Sequence, residues 1–128
     1  MTLAHLTIAT QDSAATARFF QEIFDWPEVH RPANVDLTTY WLDIGKEQQV
    51  HVLQVDGFEV SPFEKEFGRH FAFFFPAAQL VTIRERLAER NVEVIPPIRP
   101  TPFERFFFQD PNGYMFEVID QDKFVQEK

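Results

Sequence analysis

The sequence predicts an α+β fold of two tandem β-α-β-β-β modules. Three observations lead there: a strand-helix-strands pattern near the N-terminus, the same pattern restarting after a connector, and a fixed offset of 65 residues between matching features. The 128 residues are enough for one compact domain, or two fused halves, with a substantial core.

The first module spans about residues 1–56. Leu3 to Thr10 alternates as a two-faced strand does. Asp12 or Ser13 offers a helix N-cap, and Thr16, Phe19, Phe20, Ile23 and Phe24 follow at helical spacing. Pro27 stops that helix. Three strand-like runs come next: Glu28 to Pro32, Leu37 to Ile44 and Gln49 to Val55, with Gly45 as a turn residue. Residues 57–68, with Gly57, Pro62 and Gly68 among mixed charges, read as a connector.

The second module spans about residues 69–122. His70 to Phe75 is strand-like, and Leu80, Ile83 and Leu87 mark one face of a helix. Asn91 is a candidate left-handed cap. Val92 to Ile95, Phe103 to Gln109 and Tyr114 to Asp120 are the remaining strands, the last two joined by Asp110-Pro-Asn-Gly113. His5 overlays His70, and His51 falls within one residue of Glu117. A repeat of this length is a unit that cannot bury its own sheet face alone.

Composition narrows the function. Sixteen phenylalanines and 45 % hydrophobic residues exclude disorder as the main state. The absence of cysteine removes disulfides, thiolate metal sites and a thiol nucleophile. A net charge of −8 with no basic run argues against nucleic acid. The longest apolar run, Phe71 to Ala78, is too short for a bilayer and contains proline. No signal peptide is visible, so a cytoplasmic location is expected.

Four residues stand where chemistry is expected. His5, His51, His70 and Glu117 lie in the first and last strands of the modules, and pseudo-twofold symmetry would make such positions converge. Imidazole and carboxylate suit Fe(II), Mn(II), Ni(II), Co(II) or Zn(II). The plainer alternative for each histidine is a hydrogen-bonded strand residue. Glu117, in the apolar run Met115-Phe-Glu-Val-Ile119, must be paired, coordinated or protonated if buried. His30 has no counterpart and reads as surface.

The motifs resemble the vicinal oxygen chelate superfamily: glyoxalase I, extradiol dioxygenases, and fosfomycin- and bleomycin-resistance proteins. The likeness covers nearly the whole chain. It rests on His5-Leu-Thr-Ile-Ala-Thr10 with Ala17-Arg-Phe-Phe20 and Phe24-Asp-Trp26, on Arg69-His-Phe-Ala-Phe73, and most specifically on Phe107-Phe-Gln-Asp-Pro-Asn-Gly-Tyr-Met-Phe-Glu-Val118. The resemblance implies sheets curving around a metal cleft, a homodimer, and His5, His70 and Glu117 as ligands. His51 falls on the remaining ligand position, a carboxylate and catalytic base in glyoxalase I, so Glu117 and His51 are the expected catalytic pair. The implied activity is a metal-dependent lyase or isomerase acting on a small vicinal-oxygen substrate. Ring-cleaving dioxygenase chemistry and non-catalytic antibiotic binding are the alternatives. Ala9 and Val55 stand where glyoxalases carry the arginine and asparagine associated with glutathione, which argues against that thiol.

Arg31, Arg99 and Arg105 are candidates to hold an anionic substrate group, since guanidinium is bidentate toward carboxylate or phosphate. Surface ion pairing is the alternative for each. Trp41 and Phe108 are candidates to floor the pocket, with a core role as the alternative.

Overall fold

The computed structural model describes residues Thr2–Phe124. Over the described residues the chain is α+β, with two helices and two three-stranded mixed sheets. It divides between Glu59 and Val60 into two compact units. Among the described residues, no helix is long and apolar enough to cross a membrane.

The first unit contains β1 (His5–Thr10), α1 (Ser13–Phe24), β2 (Tyr40–Gly45) and β3 (Gln48–Gln54). The sheet order is β1-β3-β2, with β1 parallel and β2 antiparallel to β3. Asp12 caps α1 by accepting the Ala15 N–H, and Asp25 ends it in the left-handed region, two residues before Pro27. The apolar stripe of α1 packs on the sheet, where Ile8, Phe20, Ile23, Leu42, Val50 and Val52 are at most 1 % exposed. Alternation turns His5, Thr7, Ala9, Trp41 and His51 to the opposite, open face. Gly45 has a φ of +96°, but Lys46 and Glu47 form the turn itself, both with positive φ, as a two-residue hairpin loop requires.

The second unit repeats this order with β4 (Phe71–Phe75), α2 (Ala77–Glu89), β5 (Arg105–Gln109) and β6 (Met115–Asp120), arranged β4-β6-β5. Leu80, Ile83 and Leu87 of α2 are buried, as are Phe106, Phe108, Phe116 and Val118 of the sheet. Asp122 supplies the N-terminal cap that Pro76 cannot, accepting the Ala77 N–H at 3.0 Å. Asn91 takes the left-handed conformation expected of it.

Two expected strands shrink to single bridges. Glu28 to Pro32 keeps only the Glu28–Leu42 bridge, and Val92 to Ile95 only Ile95–Phe107. Pro27 and Pro32 bracket the first and Pro96-Pro97 follows the second, removing donors a ladder needs. The strand expected from Leu37 starts at Tyr40, because Asp36 draws the Thr38 and Thr39 N–H groups into a turn.

Candidate functional site

Each unit brings together part of the expected constellation. In the first, His5 and His51 stack with ring centroids 4.0 Å apart and planes 12° from parallel. Trp41, the register partner of His51, stacks on it at 4.4 Å and 7°. β3 is the central strand, so His51 sits between the two rings. Its Nε2 lies 2.8 Å from Gln49 Oε1. Burial holds the His51 pKa below the ordinary histidine value, with the neighbouring His5 as the second cause.

In the first unit the two expected ligands, His5 and His51, lie face to face. An ion bound to imidazole lies in the ring plane, about 2 Å from the nitrogen. Near-parallel rings 4.0 Å apart share no point within that reach. As they stand, His5 and His51 do not both ligate one ion.

In the second unit, His70 Nε2 lies 3.1 Å from Glu117 Oε1. His70 Nδ1 is 3.3 Å from the Lys65 carbonyl oxygen. A carbonyl and a carboxylate oxygen both accept, so without a metal either ring nitrogen can be the donor. With the proton on Nδ1, Nε2 and Oε1 are two electron-pair donors aimed at one place. Ligands about 2.1 Å from an ion and at right angles to it are separated by about 3.0 Å. In that tautomer the pair fits two adjacent positions on a divalent ion.

Glu117 is 6 % exposed, and its other oxygen accepts from Arg105 Nη1 at 2.9 Å. Arg105, 5 % exposed, donates through Nη2 to Glu66 at 3.1 Å and to the Arg99 carbonyl at 2.6 Å. Glu66 also accepts the Ile98 and Arg99 N–H groups at 2.7 and 3.0 Å. Phe107, the register partner of Glu117, meets the His70 ring edge-on at 5.3 Å. Among the described residues, no three histidine, aspartate or glutamate side chains form a ready-made metal cage.

The remaining candidates differ in burial and in partners. Phe108 is fully buried and stacks on Phe116, so it is core and not pocket floor. Its register partner is Phe116, which puts it on the helix side of the sheet, while its neighbour Phe107 shares the face of Glu117. Arg31 lines a cavity of about 370 Å³ in the 28–37 loop, but its Nη1 is given to the Leu37 and Thr39 carbonyls. Arg105 is committed to carboxylates within its own unit, so an exposed anion-binding role does not suit it. Arg99 is exposed, and its backbone joins the Glu66 and Arg105 network. His30 is exposed, as expected.

Sequence reasoning missed Gln49, Lys65 and Glu66. The last two lie in what reads as a bland connector. Its acids at 64 and 66, interleaved with Phe63, Lys65 and Phe67, are the single hint of a structured role.

A family model described as the Glyoxalase/Bleomycin resistance protein/Dioxygenase superfamily matches residues 2–118. The chain belongs to that superfamily. Solved structures share the superfamily fold with it. A protein described as a glyoxalase family member from Bacillus anthracis is 20 % identical, with a TM-score of 0.75 over 94 % of both chains. The oxidase ChaP-H2 is 22 % identical, with a TM-score of 0.73 over 94 % of both chains. A substituted form of the fosfomycin resistance protein FosX from Listeria monocytogenes, complexed with Mn(II) and 1S,2S-dihydroxypropylphosphonic acid, is 22 % identical. Its TM-score is 0.73 over 93 % of this chain and 91 % of that one. No curated protein sequence matches the chain.

Proposed function

We propose that this superfamily member is a metal-dependent enzyme acting on a small substrate with two neighbouring oxygens, of the glyoxalase-like lyase or isomerase type. The single observation that carries the reading is the 3.1 Å approach of His70 Nε2 to Glu117 Oε1, with the Lys65 carbonyl facing Nδ1. His5, His70 and Glu117 are the ligands in this reading. The Mn(II) in the FosX complex supports a divalent ion of this kind. When bound, such an ion supplies Lewis-acid stabilisation of an oxyanion or enediolate on a substrate.

The chain's own groups supply the rest. Glu117 is held by Arg105 and presents one oxygen, Oε1, toward His70. The stacked pair offers one of its two imidazoles as a ligand; the superfamily resemblance gives that role to His5, and His51 then serves as the proton carrier. With Gln49 Oε1 accepting its Nε2–H, the lone pair on Nδ1 is the atom that takes the proton. Trp41 keeps that ring in place by covering one face. Ala9 and Val55 offer no charged or amide grip, which supports a substrate without glutathione. The working form in this reading is a cytoplasmic homodimer. Dioxygen insertion is the second reading, favoured by the oxidase among the structures that share the fold.

The test is metal content after loading with Fe(II), Mn(II), Ni(II), Co(II) or Zn(II), with His70→Ala as control. Close to one ion per chain, lost in the control, is expected. Less than about 0.1 ion per chain would remove the metalloenzyme reading. Methylglyoxal turnover against oxygen uptake with catechols then separates the two chemistries, and size-exclusion chromatography reports the dimer.

A further inference from the structure

The geometry points to Arg105 and Glu66 as positioning residues that hold Glu117 in a single orientation for metal binding, making the 60–68 segment part of the metal centre. This rests on the ligand set proposed above.

Arg105 sits at the first position of β5, 5 % exposed, with its guanidinium over the Phe107 ring. Burying a guanidinium is costly unless its donors are matched. The match here is partial. Nη1 reaches Glu117 and Nη2 reaches Glu66 and the Arg99 carbonyl, but the buried Nε–H has no acceptor among the described residues. A group that only filled space would be cheaper as an apolar residue. What the guanidinium does that no apolar residue can is join two carboxylates through one rigid plane.

That plane fixes both ends. Glu66 is locked at the far end by two consecutive backbone N–H groups, of Ile98 and Arg99. Glu117 is locked at the near end through Oε2, so Oε1 alone faces His70 Nε2. A carboxylate tied this way presents one oxygen and cannot swing to offer both. The same segment supplies the Lys65 carbonyl that orients His70. Both side chains of the half-site thus take their orientation from residues 65 and 66. Partners of this outer kind typically change metal affinity by about 10- to 100-fold when removed.

The experiment is Mn(II) titration of the metal-free full-length chain, reading free Mn(II) by electron paramagnetic resonance. The variants are Arg105→Met, Arg105→Lys, Glu66→Gln and the Glu66→Gln/Arg105→Met double variant, each with its metal-free thermal midpoint recorded. Weakening of about 10- to 100-fold is expected for Arg105→Met and a smaller loss for Glu66→Gln. Arg105→Lys, which keeps the charge but loses the fork, should fall between the parent and Arg105→Met. The double variant should bind as Arg105→Met alone does, because Glu66 acts through Arg105. A purely structural role would instead lower the thermal midpoint and leave the losses additive. Folded variants whose Mn(II) affinity stays within about twofold of the parent, or additive losses, overturn the proposal. If Arg105→Met does not fold, Glu66→Gln and Arg105→Lys carry the same test. Failure of the parent chain itself to bind Mn(II) would instead overturn the ligand set.

Discussion

His51 and Glu117 occupy the same register position in two separate sheets. His51 pairs with Thr7, two residues past His5, and Glu117 pairs with Ala72, two residues past His70. Their partners on the other side, Trp41 and Phe107, are both aromatic. One position in a repeated unit therefore carries imidazole in one copy and carboxylate in the other. The neighbouring histidine responds to that difference: His5 stacks on a ring, whereas His70 points a nitrogen at an oxygen.

The proposed ligand set separates the two stacked histidines of the first unit. His5→Ala should weaken metal binding by tenfold or more, whereas His51→Ala should leave it within about threefold. Isothermal titration with Mn(II) measures both. Equal losses in the two variants would restore His51 to the ligand set.

Gly68 is required by space. A Cβ there would lie 2.2 Å from the Phe63 carbonyl oxygen, a backbone atom that cannot yield. Gly68→Ala should cost about 1–3 kcal/mol, as overpacking does. The midpoint of urea unfolding reads the loss directly. Because Lys65 and Glu66 lie in the same tight loop, metal affinity should fall with it.

Asp110 gives the protein a pH signature. Burial raises its pKa from 3.8 to about 6, against the pull of hydrogen bonds from Asn112, Tyr114 and Gly113. A pKa raised by folding favours the folded state at low pH. The contribution is full below about pH 4 and is lost as pH rises through 6. The difference corresponds to about 3 kcal/mol. Urea unfolding of the parent and of Asp110→Asn at intervals between pH 3.5 and 7.5 should show the parent losing stability relative to the variant across that window. Parallel curves would show that Asp110 does not titrate there.

Phe108 and Phe74 offer a contrast within one unit. Phe108 is fully buried against Phe116, whereas Phe74 is 48 % exposed and meets only the edge of Phe124 among the ring contacts described for it. Phe108→Ala should cost about 3–5 kcal/mol and Phe74→Ala less than about 1 kcal/mol. Chemical denaturation separates these values easily.

Much of this architecture is legible in the residues. Helical spacing from Thr16 to Phe24 and from Leu80 to Leu87 marks the two helices, and alternation marks β1. These are signals of burial, and burial is what periodicity reports. The register equivalence of His51 and Glu117 is legible as a near-match in offset. Phe108 is not legible because three phenylalanines in a row, Phe106 to Phe108, hide which parity faces the helix. The bridges at Glu28 and Ile95 were not legible because β-branched residues promise a strand that neighbouring prolines deny. Lys65 acts through its carbonyl, and Glu66 through contacts some forty positions away along the chain, with Arg105. No local pattern announces either.

The affiliation of the 60–68 segment has a practical consequence for cutting and rejoining this chain. The hydrogen bonds described for Ser61 through Gly68 end on residues of the second unit, while Phe58 bonds back to Gln11 and Val55. The natural seam is therefore the peptide bond between Glu59 and Val60. A permuted terminus or protease site placed there spares the clamp on Glu117. One placed at Gly68, where the linker looks equally innocuous, would sever Glu66 and Lys65 from the residues they orient. A module transplanted from this protein keeps its chemistry only if it carries those nine residues with it.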